Sequence, residues 1–406
     1  MKNLNQPIIT SLLDNDLYTF TVAYLYLQKF PRAIVTYKFH DRNNTVYPDN
    51  FANLLKEQIK AIEDITIKDN EISFMKRKCY YLPNWFYTFL KGYKFDSNEV
   101  NIEQDNEGHL SIEITGYAWR TLFWEVPILA IISELFHFMN GDNEKLVIFD
   151  QIRKVHDKCA DLLENGLIFS DFGTRRRYSM QVQDVVVSTF QETDKLYADK
   201  DGKGHFVGTS NVYLAEKYDL TPVGTMSHQV IMLCGALFGY QEANYLAMEY
   251  WQKVFNSDLG IFLYDTYGWE AFQKNFSKKH AMLFSGLRVD SGDNFDAVDK
   301  IIKKYEELGI DPKTKQVTFS NGLTTDDAIK IHKYVNGRVI DNYGIGTHFT
   351  CDIDGVKPMN IVIKLDKAQM TEKTEVRNCI KISDDLPKAT GNVEEIELCK
   401  KTLNIG

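Results

Sequence analysis

Arg175-Arg176-Arg177 is the only run of three arginines in the chain, and it follows Asp171-Phe172-Gly173-Thr174 directly. A guanidinium offers paired donors to a carboxylate or phosphate, each charge-assisted bond contributing roughly 1.5–3 kcal/mol. A solvated helix start explains the run poorly, because cations are disfavoured at a helix N-terminus. An anionic ligand nearby would offset that cost. Consecutive side chains diverge, so one or two of the three should face the ligand. His228, in Gly224-Thr225-Met226-Ser227-His228, offers an imidazole that serves as nucleophile or proton carrier near neutral pH, or else a structural histidine. Arg288-Val289-Asp290-Ser291-Gly292-Asp293 brings two carboxylates around a serine-glycine turn. Such carboxylates accept from a ribose diol, hold hydrated magnesium, oppose positive charge on a sugar carbon, or simply cap the helix predicted over 294–308. Asn321-Gly322 and Gly344-Ile345-Gly346-Thr347 are small-residue turns where backbone N–H groups approach a phosphate.

These residues need a scaffold that gathers them. From about residue 155 the chain repeats a short apolar strand, a polar or glycine-containing turn and an amphipathic helix. The predicted strands are 167–169, 205–208, 222–224, 261–263, 283–284, 316–319 and 338–340, about seven βα units. A (β/α) barrel is the preferred reading, because no glycine-rich dinucleotide fingerprint follows the first strand; an open doubly wound sheet gives a similar rhythm. In a parallel barrel, Asp171, Ser210, His228, Asp265, Asp290, Asn321 and Thr347 would share the rim at the strands' C-terminal ends, though each also suits a helix cap. Upstream, Leu13, Leu17, Phe20, Tyr24 and Leu27 predict a helix burying one face and ending at Pro31. Residues 35–39 alternate as a half-buried strand, and 100–102 with 110–114 predict a hairpin around Asp105-Asn106-Glu107-Gly108. A strand over 360–365 should return to the N-terminal part. The expected architecture is α/β: an irregular barrel over 151–351 and a second α+β domain built from 1–150 and 352–406.

The chain has 406 residues, 44% hydrophobic and 25% charged, as ordinary globular proteins do. A formal net charge of -9 argues against nucleic-acid or anionic-membrane partners, which require excess Lys and Arg. Six scattered cysteines without a Cys-x-x-Cys pair fit neither a disulfide framework nor structural zinc. The N-terminus lacks a signal-peptide core, and the apolar run 126–136 is too short to span a bilayer, so a cytoplasmic protein is expected.

Together these segments resemble the nicotinate phosphoribosyltransferases along nearly the whole chain. The resemblance rests on Leu13-Asp14-Asn15-Asp16-Leu17-Tyr18, Tyr37-Lys38-Phe39, Phe172 to Arg177, Gly208-Thr209-Ser210-Asn211-Val212, Gly224 to His228, Leu287 to Asp293 and Gly344 to Thr347, in order; Lys381-Ile382-Ser383-Asp384 is similar to the family's tail. It implies transfer of a phosphoribosyl group from phosphoribosyl pyrophosphate to nicotinate, with ATP and Mg2+ as cofactors. It further implies a homodimer with a shared active site. His228 would be phosphorylated by ATP, and Phe172 and Tyr18 would sandwich the pyridine ring, Tyr18 from the partner subunit in one arrangement. Arg175 and Arg288 would face the anionic substrates, and Asp290 the ribose. Gly322, Gly346 and Thr347 would hold the 5-phosphate, with Asp16, Gly173, Thr174 and Asn321 among the substrate-binding residues. Ser210 stands where the nicotinamide-using relatives carry an aspartate that would repel a carboxylate, which favours nicotinate. The chain departs from the family's pattern at Gln229, where an acidic residue is expected beside the histidine. A nicotinamide or quinolinate transferase and a non-catalytic metabolite-binding relative are the alternatives.

Overall fold

A computed structural model describes residues 6–141, 144–198, 204–385 and 389–405. Its strands in chain order are β1 (Ile34–Asp41), β2 (Val100–Gln104), β3 (Leu110–Tyr117), β4 (Ile168–Asp171), β5 (His205–Thr209), β6 (Thr221–Pro222), β7 (Ile261–Leu263), β8 (Gly286–Val289), β9 (Gln316–Phe319), β10 (Ile340–Ile345), β11 (Ile361–Gln369) and β12 (Arg377–Asn378). Seven of them form a parallel sheet in the order β6-β5-β4-β10-β9-β8-β7. Every neighbouring pair is consecutive in the chain except β4 with β10, where the first strand meets the last. In a doubly wound sheet the first strand would instead neighbour the third or the fourth. The sheet is therefore a curled barrel, open between β6 and β7 among the described residues.

Two strand positions differ from the sequence reading. Leu283 closes a helix, Lys278–Leu283, and β8 begins only at Gly286. A Cβ at Gly286 would lie 2.0 Å from the Gln316 carbonyl oxygen, so the glycine is what lets β8 pair closely with β9. The last barrel strand is also later and longer, starting at Ile340 rather than Arg338.

The helices follow from buried faces and caps. Helix Asn294–Glu307 buries Ala297, Val298, Ile301 and Tyr305, one stripe at helical spacing. Asp293 starts it by accepting from the amides of Phe295 and Asp296, both at 2.9 Å. The first helix, Leu17–Lys29, begins after Leu13 and buries every residue from Leu17 to Ala23, more than the single face that its spacing suggests. Ala118–Met139 is long and apolar enough to cross a membrane, longer than the run read from the sequence, but it is mostly buried inside the protein as a core segment.

The second sheet is antiparallel, ordered β12-β11-β1-β3-β2. β2 and β3 form the expected hairpin, with Ile102 opposite Ile112. β11 lies against β1 from Ile34 opposite Gln369 to Asp41 opposite Ile361, so strands more than 300 residues apart are adjacent. Tyr37 of β1 and Ile363, Lys364 and Leu365 of β11 face a cavity at the barrel's mouth.

Candidate active site

Each of the seven rim residues follows a different parallel strand. Asp171 ends β4 and Ser210 follows β5; His228 follows β6 and Asp265 follows β7. Asp290 follows β8, Asn321 follows β9 and Thr347 follows β10. Three neighbouring residues do the capping: Asn211 accepts from the Leu214 amide, Asp293 as above, and Thr324 from the Asp327 amide. Ser210 and Asp290 instead line the cavity. Asp171 does not line it. Its carboxylate accepts from the Gly173 amide, the Gln183 side chain and the Thr209 hydroxyl, while burial pushes its pKa up to about 6.

The cavity is lined by Asp16, Tyr18, Phe172, Arg175, Ser210, His228, Arg288 and Asp290 from the sequence-derived set. Tyr18 and Phe172 reach it from the same chain. The three arginines take three directions. Arg175 enters the cavity, its guanidinium 5.9 Å over the Tyr18 ring, with Nε 3.5 Å from Asp16 Oδ2 and Nη1 3.7 Å from Glu125 Oε1. Arg176 turns toward Asn360. Arg177 is wholly buried and bridges Asp14, at 2.7 and 2.8 Å, to Glu134, at 2.8 Å. Its role is to tie the first segment to the barrel.

His228 is 7% exposed and held on both ring nitrogens. Nδ1 lies 3.0 Å from Thr266 Oγ1; Nε2 lies 3.1 Å from Asp290 Oδ2 and 2.8 Å from Lys381 Nζ. Burial first, then Lys381, draws its pKa down to about 4, against the opposing pull of Asp265 and Asp290. Gln229 contributes nothing to the orientation of this ring: its amide oxygen accepts a hydrogen bond from the Tyr37 hydroxyl. Asp290 accepts on Oδ1 from Arg288 Nη2 at 2.9 Å and from the Ser320 hydroxyl at 2.7 Å. Burial opposes its ionisation, yet Arg288, and after it His228, hold its carboxyl well below the usual range. Arg288 also lies 5.6 Å over the Phe172 ring.

The sequence reading missed Lys364 and Glu125, and noted Lys381 only as part of a family-like tail, with no site role. Lys364 lines the cavity, and burial, helped by Lys381, lowers its pKa to about 7. Burial raises that of Glu125, which Arg175 counteracts. Lys364 sits at an alternating position of a strand, and Glu125 begins a helix; neither spacing marks a site.

Gly173, Thr174, Asn321, Gly322, Gly346 and Thr347 lie outside this cavity's lining. Asn321 donates to the Gly292 carbonyl at 2.8 Å, and Gly322 has a φ of +59° with open space where a Cβ would stand. A Cβ at Gly344 would lie 2.5 Å from the Phe172 ring, and one at Gly173 would lie 2.2 Å from Thr350. The smallness of Gly344 and Gly173 thus serves the seating of Phe172 and its turn.

The chain is similar to known proteins over nearly its whole length. The nicotinate phosphoribosyltransferase (NAPRTase) family profile matches residues 167–406, and the profile of the family's N-terminal domain matches residues 13–133. The nicotinate phosphoribosyltransferase of Desulforapulum autotrophicum is 39% identical over 400 residues, covering 98% of this chain and 100% of the relative. That of Chromohalobacter salexigens is 40% identical, covering 98% of each. The crystal structure of the Porphyromonas gingivalis enzyme superposes with a TM-score of 0.93 at 43% identity, over 98% of this chain and 100% of that one. The Vibrio cholerae structure gives 0.88 at 28% identity, over 100% and 96%. With both of its segments matched and its full length shared, the chain belongs to the nicotinate phosphoribosyltransferase family.

Proposed function

We propose that this chain transfers a phosphoribosyl group from phosphoribosyl pyrophosphate to nicotinate, forming nicotinate mononucleotide and pyrophosphate, and couples the transfer to ATP through phosphorylation of His228. The observation that carries this reading is a single cavity lined by His228, Asp290, Arg288 and Arg175 together with the aromatic rings of Tyr18 and Phe172. Tyr18 and Phe172 offer flat faces to the pyridine ring, and Arg175 offers its guanidinium to the carboxylate. Asp290, kept ionised by Arg288, faces the ribose and stabilises the positive charge that develops as the sugar–pyrophosphate bond breaks. Asn321, Gly322, Gly346 and Thr347, on the adjacent strand ends after β9 and β10, receive the 5-phosphate. Both rings line the cavity within one chain, and the homodimer with a shared active site stays part of the proposal.

His228, Asp265 and Asp290 place potential ligand atoms within 4.8 Å of one another. They do not fit a resident magnesium, which demands oxygen ligands in octahedral array. One donor is an imidazole, and Lys381 Nζ stands 2.8 Å from it. Magnesium is better accounted for as the counter-ion of the substrates' phosphates, and the chain's own chemistry is assigned without it.

The test is incubation with phosphoribosyl pyrophosphate, magnesium and nicotinate, nicotinamide or quinolinate, with and without ATP. Nicotinate mononucleotide should form fastest with ATP present. Preference for another base would overturn the substrate, and equal rates without ATP would overturn the coupling.

A further inference from the structure

The segment around residue 382 is stitched to the barrel rim. The amides of Ile382 and Ser383 donate to the Thr266 carbonyl at 2.9 and 3.2 Å, and the Asp384 amide donates to the Ser291 hydroxyl at 3.1 Å. Asp384 Oδ1 in turn accepts from the Trp269 amide at 2.8 Å. These bonds fix Lys381, 4% exposed, with Nζ 2.8 Å from His228 Nε2.

A lysine ammonium carries donors and no acceptor, so Nε2 is the acceptor in this contact and bears the ring's lone pair. A neutral imidazole then has its proton on Nδ1, where Thr266 Oγ1 lies 3.0 Å away and accepts. The alternative, Nε2–H donating to Asp290 Oδ2, would set a proton against the ammonium at the same nitrogen, whereas with Nε2 unprotonated the ammonium offsets the approach of its lone pair to that carboxylate. Thr266 therefore does two things: its hydroxyl accepts the proton that Lys381 leaves on Nδ1, and its carbonyl anchors the segment that delivers Lys381.

We infer that Lys381 is a catalytic residue of the ATP-dependent half-reaction, holding His228 in the tautomer whose Nε2 attacks phosphorus and then pairing with the transferred phosphoryl group. The inference rests on the phosphohistidine reading above. In the step, the Nε2 lone pair forms a bond to the γ-phosphorus of ATP. The bond from that phosphorus to the β,γ-bridging oxygen breaks, and its electron pair leaves with ADP. Nδ1 keeps its proton, so none is transferred. Lys381 yields the lone pair to phosphorus and moves its donors onto the phosphoryl oxygens, a charge-assisted pairing that strengthens as the group arrives.

Two measurements test this on the full chain. Ring-nitrogen 15N spectra, with the His228 signals identified by their loss in His228→Asn, should show Nδ1 protonated in the wild type and the proton moved toward Nε2 in Lys381→Met. Single-turnover labelling by [γ-32P]ATP with magnesium, quenched in alkali, should fall on the order of a hundredfold in Lys381→Met and recover in part in Lys381→Arg. A merely structural lysine would not shift the tautomer. Labelling of Lys381→Met at the wild-type rate, or a wild-type ring protonated on Nε2, overturns the role of Lys381 alone. A wild type that takes no label on His228 overturns the phosphohistidine reading and this inference with it.

Discussion

His228 Nε2 lies 3.1 Å from Asp290 Oδ2, so the nitrogen proposed to accept phosphate and the carboxylate proposed to face the ribose touch each other. The two half-reactions thus share one charge balance. Any change in the charge on His228 is felt by Asp290.

That balance has a sign that can be measured. The His228 pKa is about 4 in the folded chain against an ordinary 6.5. Above pH 6.5 the ring is neutral in both folded and unfolded chains and contributes nothing. As pH falls from 6.5 toward 4 the unfolded chain binds a proton that the folded chain refuses, so stability declines through this window and levels off below it. Asp265 and Asp290 face the ring and soften the effect, while Lys381 sharpens it. Urea midpoints at pH 7 and pH 5 should fall further for the wild type than for His228→Asn. Equal falls would show that the ring is not held neutral by its surroundings.

Arg175 is the arginine of the run that reaches the cavity. Arg175→Ala should lower kcat/KM for nicotinate by on the order of 2–4 kcal/mol of transition-state stabilisation, with far less effect on residual turnover of uncharged nicotinamide. Steady-state kinetics on both bases decides this, and an unchanged nicotinate value would remove Arg175 from carboxylate recognition.

Gly344→Ala tests the seating of Phe172. The added methyl would meet the aromatic ring at 2.5 Å, closer than real contacts allow, and the neighbour that must yield is one wall of the sandwich. KM for nicotinate should rise roughly tenfold, the scale of a 1.4 kcal/mol loss in binding. A variant with native KM would show that Phe172 has room to move without cost to the base.

Arg177→Met separates scaffold from site within one tripeptide. Removing the guanidinium takes a cation from the buried carboxylates of Asp14 and Glu134 and leaves them the neutral donors Asn211 and the Met180 amide, a loss of about 3–5 kcal/mol for breaking a buried pair from one side. Denaturant unfolding should show it clearly. A variant as stable as the wild type would mean that the Asn211 and Met180 donors suffice for both acids.

The barrel was legible because its rhythm is local: short apolar strands, polar turns and helices with a stripe. The strand misplaced onto residues 283–284 shows where that reasoning stops, since Leu283 continues a helix and β8 depends on Gly286 fitting under a neighbouring carbonyl. Site residues at strand ends were legible for the same reason. His228, Asp290 and Arg175 each follow or end a strand in a recognisable motif, and the structure gathers them. Lys364, Glu125 and the placement of Lys381 were not legible, because each depends on a contact that crosses the fold. Lys364 reaches the cavity only because β11 pairs with β1, and Lys381 only because Thr266 and Ser291 bind the segment that carries it. Gln229 breaks the family pattern without disturbing His228, since ring orientation comes from residues 38 and 153 positions away.

The pairing of β11 with β1 has a consequence for how the protein is made. All seven barrel strands have been synthesised by Ile345, yet Lys364 and Lys381 have still to be added to the chain at that point. A nascent chain therefore owns a complete set of rim motifs before it owns a working mouth, and turnover should switch on abruptly with the last stretch of translation. Chains stalled before residue 361 and after residue 406, assayed on the ribosome, would reveal the step; activity in the shorter one would deny it.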